Sequence, residues 1–344
     1  MSSMEGSAAT IDSSFGELEQ HRRELTAYCY RMLGSPFEAE DAVQDTLIRA
    51  WRSRDRFEGR SSLRSWLYRI ATNVCLDALD GRKRRARPMD LGPARDHDGP
   101  IGEILPEVTW VEPAPDGLVV DDAADPAEVA QSRETIRLAF VAALQRLPAR
   151  QRAVLLLCEV LRWKASEVAE LLDMSVASVN SALQRARAGI EASHVTPADV
   201  APPALEAPDR ELLARYVDAF QRYDMDALTA LIREDATQSM PPYELWLSGR
   251  EQIFGWWYGR GGGCAGSIVI PAGTANGAPA FAQYKPSESG EGYEPWALQV
   301  LEIRDGQIVE MTFFLDVEHL FPLFGVPLEA PVERVTRAAP PTGP

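Results

Sequence analysis

Residues 162–190 constrain this chain more than any other stretch, because they read as two short amphipathic helices joined by a tight break. The first helix is expected over about 165–172, the break falls at Asp173-Met174, and Ser175 is placed to cap the second helix. At 100° per residue, Val176, Val179, Leu183, Ala186 and Ile190 share one narrow face that should pack on the first helix. The opposite face carries Ala177, Ser181, Gln184 and Arg185, flanked by Asn180 and Arg187, with no acid between Val176 and Ile190. Such a helix-turn-helix face enters a major groove without repelling phosphate. An ordinary helical hairpin has the same spacing, so this stretch alone leaves both readings open.

Composition bounds the rest. With 344 residues the chain has room for two or three domains, and 45% hydrophobic content suits folded units. No run of about 18 apolar residues occurs, and residues 1–14 lack an apolar signal core, so a cytoplasmic protein with no membrane partner is expected. Cys29, Cys75, Cys158 and Cys264 lie far apart among apolar neighbours and read as buried thiols, not as a metal knuckle or a disulfide framework. A net charge of -16 conflicts with a nucleic-acid partner until it is divided along the chain. Residues 1–86 sum to +1, 87–130 to -9, 131–194 to +3 and 195–344 to -11. Acid is confined to a linker and the C-terminal part, so DNA has to meet the two helical blocks.

In the N-terminal block, Ala27, Tyr28, Tyr30, Met32 and Leu33 give an apolar stripe that Gly34-Ser35-Pro36 breaks. A second helix runs from Phe37 through Trp51. Its Ala42, Val43, Leu47 and Ala50 face a core, while Glu38, Asp41, Gln44 and Asp45 form an acidic outer face. That face is either a solvated surface or a dock for a basic partner. After a loop at 54–62, a helix over 63–77 interleaves aromatics with bases and leads to Arg82-Lys83-Arg84-Arg85. Rings that stack on bases, at about 1–3 kcal/mol each, beside cations that track phosphates suit single-stranded DNA. Trp66, Leu67 and Ile70 serve equally well as core, and Trp66 is read as doing both.

Together and in this order the two blocks resemble the extracytoplasmic-function (ECF) sigma factors of the sigma-70 family, RNA polymerase subunits that choose promoters. Residues 41–51, Asp-Ala-Val-Gln-Asp-Thr-Leu-Ile-Arg-Ala-Trp, are similar to region 2.2 of that family. Phe57-Glu58-Gly59 and 65–73 are similar to regions 2.3 and 2.4, and Leu147-Pro148-Ala149-Arg150-Gln151-Arg152 with the helix-turn-helix to region 4. The resemblance implies that Asp41, Gln44, Asp45 and Trp51 hold the beta-prime clamp helices of core polymerase and that region 4 meets the beta flap. It implies that Phe57, Trp66, Arg69, Asn73 and Asp77 handle the melted -10 element, where a base is flipped into a protein pocket. Asn73 supplies both donor and acceptor, as base-edge reading requires. It also implies -35 contacts from Asn180, Ser181, Gln184, Arg185 and Arg187. Lys or Arg is frequent in the family where Asn180 and Ala182 stand here, which implies a weaker -35 contact.

Residues 87–130 hold seven prolines and an acidic bias, the composition of an extended, flexible linker. In the family this position is threaded through the polymerase toward the RNA exit path, which suits an anionic chain imitating nucleic acid; a plain tether is the other reading. Ile101, Ile104, Leu105, Val108 and Trp110 are the apolar points at which it would dock. A Pro-rich hinge at 195–208 ends the sigma part, and a further folded unit at 209–330 and a disordered tail at 331–344 are expected. Helices over 209–233 and 250–258 precede strands at 267–270, 280–284, 296–303 and 307–314, with a turn at Asp305-Gly306. This reads as an α+β cone with a curved antiparallel sheet. The extension resembles SnoaL-like domains of the nuclear-transport-factor-2 superfamily through Tyr216-Val217-Asp218-Ala219-Phe220 and residues 296–308. Such cones often enclose an apolar pocket, with Met240, Tyr243, Trp246, Trp256, Tyr284, Trp296 and Phe314 as candidate lining and Asp316 or His319 as polar groups. Aromatics at strand spacing are also ordinary core. No spacing fixes an Asp-His dyad, and no catalytic set, cofactor or metal is expected.

The sequence therefore reads as two all-α sigma domains, a region 2 bundle at 15–86 and a region 4 helix-turn-helix at 131–194, followed by the cone. Its partners would be core polymerase and promoter DNA, with a tethered contact between the extension and the sigma domains. Two other classes stay open. A stand-alone helix-turn-helix regulator would leave residues 57–77 and the acidic helix without a role. A small-molecule cyclase or isomerase fused to a DNA-binding arm would require turnover by residues 205–330 alone.

Overall fold

The computed structural model describes residues 16–57, 59, 61–120, 135–192 and 207–331. They gather into two units, the first holding the described parts of Met1–Leu91, Leu105–Leu205 and Thr274–Ala278. The expected hinge at 195–208, the linker end at 121–130, the start of region 4 at 131–134 and the tail beyond 331 lie wholly or mostly outside the described residues.

In the first unit α1 (Arg22–Leu33) stops at Gly34, whose φ of 77° turns the chain and whose N–H caps the Tyr30 carbonyl. A Cβ there would lie 3.1 Å from the Gln145 side chain, so the site needs glycine for both conformation and space. Ser35 then caps α2 (Pro36–Ser53) by accepting from the Glu38 N–H, with Pro36 at the first helical position. Ser62 caps α3 (Leu63–Leu79) in the same way through Ser65. The three helices close on Leu25, Tyr28, Cys29, Leu47, Tyr68 and Cys75, all buried. Tyr28 and Tyr68 meet edge to face at 5.2 Å, and the Tyr28 hydroxyl pairs with Thr72 Oγ1 at 2.8 Å.

The same unit contains α4 (Leu138–Arg146), α5 (Ala149–Leu155), α6 (Ala165–Leu172) and α7 (Val176–Glu191). Asp173, left-handed at φ 53°, ends α6, and Ser175 caps α7 by accepting from the Ser178 N–H at 3.1 Å, so the expected helix-turn-helix is present. Its packed face differs by one step from the expected stripe. Val176, the first residue of α7, is 45% exposed, and the buried positions are Val179, Ala182 and Ala186.

The linker does not run free where it is described. Trp110, Val111, Ala114, Val119 and Val120 are buried in the first unit. Ala86 exchanges backbone hydrogen bonds with Thr109 and Val111, and the Glu112 N–H donates to Gly34 O at 3.0 Å. Averaged composition over 87–130 hid these apolar anchors among prolines, which carry no N–H to be left unsatisfied. Of the four thiols, Cys29 and Cys75 are buried, whereas Cys158 and Cys264 are only half-buried.

The second unit holds Gly92–Ile104 and the described parts of Glu206–Gly273 and Pro279–Pro344. The helix expected over 209–233 is two helices, α8 (Ala207–Arg222) and α9 (Met225–Leu231), because Tyr223 turns left-handed and Asp224 caps α9 by accepting from the Ala227 N–H at 2.9 Å. β1 (Ile232–Ser239), β2 (Trp246–Ser248), α10 (Arg250–Tyr258), β3 (Ile268–Ala275), β4 (Ala278–Pro286), β5 (Tyr293–Arg304), β6 (Gln307–Phe314) and α11 (Val317–Leu323) follow. The strands form one sheet in the order β2-β1-β6-β5-β4-β3. β1 pairs parallel with β6, while β1/β2, β4/β5 and β5/β6 are antiparallel. Irregular register at Gln283/Tyr284 and Glu302/Ile303 bends β4 and β5, as bulges do. The Asp305-Gly306 turn has φ of 52° and 71°, the pair a tight hairpin needs.

Candidate functional site

Three surfaces of the first unit carry the residues singled out in its sequence. On α2, Asp41, Gln44, Asp45, Ile48 and Trp51 are all exposed, and their spacing of three and four residues puts them along one face. Ile48 and Trp51 are 39% and 38% exposed, an apolar pair set among acids. Asp41, Gln44 and Asp45 also line an open groove of about 460 Å3 whose far wall is Asp77 of α3. Arg49 bridges it, 3.6 Å from Asp45 and 3.5 Å from Asp77. Ile48 was missed in the sequence reading, although it stands four residues after Gln44 on the same helical face.

Along α3, Trp66, Arg69, Asn73 and Asp77 also follow one face, with Arg69, Asn73 and Asp77 exposed and Trp66 half-buried. Phe57 stacks on Trp66 with ring centroids 4.9 Å apart. Part of this face is taken by the helix-turn-helix. The Arg69 Nη2 donates to Glu170 O at 2.9 Å, and Trp163 meets Tyr68 edge to face at 5.3 Å. The Arg64 guanidinium lies over both rings, 5.1 Å from Tyr68 and 6.0 Å from Trp163. Arg69, Trp163, Glu167 and Glu170 line one groove of about 310 Å3 with Ser61, Ser62 and Ser65.

A second tie joins α5 to the end of α1. Arg152, only 3% exposed, donates to Met32 O, to Gln145 Oε1 and O, and to Leu147 O. Those carbonyls at a helix C-terminus supply the negative end that a buried cation without a carboxylate needs.

On α7, Asn180, Ser181, Gln184, Arg185 and Arg187 are all exposed on the side away from the packed face. Arg187 is held by an ion pair with Glu159, which raises its pKa. The Thr274–Ala278 turn between β3 and β4 is part of the first unit. Its Asn276, left-handed at φ 55° and 1% exposed, donates from Nδ2 to the Tyr30 hydroxyl and to Ile136 O and accepts at Oδ1 from the Ala114 N–H.

The second unit encloses a cavity of about 280 Å3. Met240, Tyr243, Trp256 and Trp296 line it as expected from their sequence positions, together with Gln238, Trp257, Lys285 and Phe313. Trp246, Tyr284, Phe314, Asp316 and His319 do not. Tyr284 packs on Phe321 and donates to Pro327 O, and the Trp246 Nε1 donates to Gly92 O. Asp316 pairs with His319 at 2.9 Å. Strand alternation explains the exchange, because Phe313 and Lys285 turn to the face opposite Phe314 and Tyr284.

Family models match three stretches: Sigma-70 region 2 over residues 18–85, Sigma-70, region 4 over 137–189, and a SnoaL-like domain over 213–311. The ECF RNA polymerase sigma factor SigG of Mycobacterium tuberculosis is 47% identical over 316 residues, covering 90% of this chain and 82% of its own length. The chain belongs to the ECF RNA polymerase sigma factors. SigJ of the same organism is 29% identical over 226 residues, 64% of this chain and 62% of its own. The crystal structure of M. tuberculosis SigJ matches 91% of this sigma factor and 99% of that chain, with a TM-score of 0.57 at 21% identity, which shows a shared fold. As a sigma factor the protein is a transcription initiation subunit that binds core RNA polymerase and recognises promoter DNA. Among the described residues no helix is long and apolar enough to cross a membrane.

Proposed function

We propose that this sigma factor docks on the beta-prime clamp helices through Asp41, Gln44, Asp45, Ile48 and Trp51 and on the beta flap through region 4. It reads the melted -10 element with Phe57, Trp66, Arg69, Asn73 and Asp77, and the -35 element with Asn180, Ser181, Gln184 and Arg185. The work is done in the cytoplasm, where the polymerase is. The domains follow the boundaries 15–86, 131–194 and 209–330, with the cone adjusting activity.

One observation supports the further reading that this arrangement of the first unit is a closed state: Arg69 on the -10 face is hydrogen-bonded to Glu170, five residues before the cap of the recognition helix. The two promoter elements are centred about 25 base pairs apart, roughly 85 Å at about 3.4 Å per base pair. Helices in direct contact do not read both at once, so α3 and α6 have to part on the promoter. The Asn276 turn supports a role for the cone, since it is a segment of the extension that belongs to the first unit.

In vitro transcription with core polymerase on a promoter library, comparing the full chain with one ending near Val195, tests the reading. Transcription by either version supports the docking and promoter assignments, and the ratio gives the sign of the cone's effect. Equal activity of the two would remove the regulatory role.

A further inference from the structure

We propose that α7 selects an A·T-rich -35 element, Asn180 and Gln184 each taking the major-groove edge of an adenine while the methyl groups of Val176 and Ala177 pack on thymine 5-methyls. The proposal rests on the assignment of α7 to the -35 element and adds which bases the helix prefers.

The placement of the side chains carries it. The helix packs on α5 and α6 through the buried Val179, Ala182 and Ala186. At about 100° per residue the line opposite them runs through Ala177 and Gln184, with Asn180 and Ser181 on either side and Val176 one turn before Asn180. All five are exposed, Val176 by 45% although it is apolar. A β-branched residue brings no helix propensity that would account for it there. The first turn also has no free hydroxyl to set beside these methyls. Ser175 Oγ accepts from the Ser178 N–H at 3.1 Å and the two hydroxyls pair at 2.8 Å, so both serve the cap. The N-terminal residues of a recognition helix are the ones that reach base edges. In α7 that end is apolar.

Groove chemistry turns this face into a base preference. Thymine alone presents a methyl group in the major groove, and an apolar side chain that covers it removes both from water. A carboxamide sets an acceptor beside a donor, which matches the N6 amino group and N7 of adenine, and two carboxamides stand on this face. Guanine asks instead for two donors, most often from Arg or Lys. The guanidinium groups of α7 lie elsewhere. Arg185 is about a quarter turn off the central line, where it faces a phosphate wall, and Arg187 is about three turns from the helix start and paired with Glu159. The central line therefore holds adenine readers and methyl groups, with no guanine reader among them.

The test uses the holoenzyme, the full chain on core polymerase, and a duplex library randomised across both promoter elements. Bound DNA is sequenced for the parent, Asn180→Ala, Gln184→Ala and the double variant Val176→Ser/Ala177→Ser. The positions at which the two alanine variants relax selection should be A·T pairs in the parent, favoured about tenfold over G·C. Thymines of the selected -35 element are then replaced one at a time by deoxyuridine, which removes only the methyl. At one or two positions this should weaken the parent about three- to fivefold and leave the double serine variant unchanged. Each deoxyuridine comparison is made within one protein, so a loss of folded material does not imitate the result. G·C pairs at the positions relaxed by Asn180→Ala and Gln184→Ala would overturn the proposal while keeping α7 as the -35 reader. A deoxyuridine effect of equal size in the parent and the serine variant would overturn the methyl contact. Selection at the -35 element that none of the variants alters would overturn the assignment of α7 itself, and the proposal with it.

Discussion

Two buried charged residues set what the first unit tolerates. Arg152 spends its two Nη groups on four oxygens in a fork that lysine's single ammonium does not reproduce, while its buried Nε has no hydrogen bond. Burial pulls its pKa down to about 9, with Arg84 adding repulsion, and it stays cationic at neutral pH. Arg152→Lys should therefore cost about 2–4 kcal/mol in denaturant unfolding. Arg150, exposed two residues earlier, should change stability by less than about 0.5 kcal/mol when made alanine. Glu112 works through pH. Burial pushes its carboxyl up to about 8, against the opposing pull of Arg85, which lies 3.7 Å from Glu112 Oε2 but donates to Trp110 O and Glu107 O and pairs with Glu38 at 3.0 Å. Between about pH 4.5 and 8 the folded protein keeps a proton that the unfolded chain has released, so stability should fall as pH rises through that window and level off above it. Glu112→Gln should flatten this slope in urea titrations at pH 5, 7 and 9; an unchanged slope would assign it to another group. The sequence marked the Leu-Pro-Ala-Arg-Gln-Arg run but not these roles, because partners 120 residues away in the chain leave no local signature.

At the scale of elements, the helices with capping residues and strong periodicity were legible, and the weakly patterned ones were not. Ser175 announced a helix that is present, and Ser35 and Ser62, read only as a break and a loop end, cap two more. β1 went unread because its Arg233-Glu234-Asp235 start breaks alternation, and its place in the sheet comes from pairing with β6, a tertiary fact. The described linker was misread for the opposite reason, since its anchors are few and lie among residues whose average composition is that of disorder. The face of α2 yields a prediction of its own. Ile48 and Trp51 are exposed, so replacing them should leave unfolding midpoints within error while removing apolar contact with a partner. Trp51→Ala and Ile48→Glu should each weaken core polymerase at least tenfold in a binding titration, as central aromatic and aliphatic anchors do. Normal affinity in both would move the docking surface off this face.

For the whole molecule, the decisive quantity is the balance between a closed first unit and one extended over a promoter. Residues 87–130 fully stretched would span about 145 Å at about 3.3 Å per residue, ample for roughly 85 Å. Yet residues 105–120 are packed into the first unit and 92–104 into the second, so extension requires giving up those contacts along with the α3/α6 contact. Trp163 is the place to bias that balance, because its ring contacts Tyr68 and Arg64 across the closed face, where a ring pair contributes about 0.5–1.5 kcal/mol. Trp163→Ala weakens the closed state without touching the exposed residues of α2 or α7. If the closed arrangement restrains activity, the variant should bind single-stranded -10 DNA about 2- to 10-fold more tightly than the parent, the factor that this range of free energy corresponds to. Its affinity for core polymerase should change no more than that. Arg69→Ala should abolish the gain, since it removes the cation, proposed to face the -10 strand, that is freed when its bond to Glu170 O opens. Weaker DNA binding by Trp163→Ala, with folding intact, would instead make the α3/α6 contact part of the promoter-reading form.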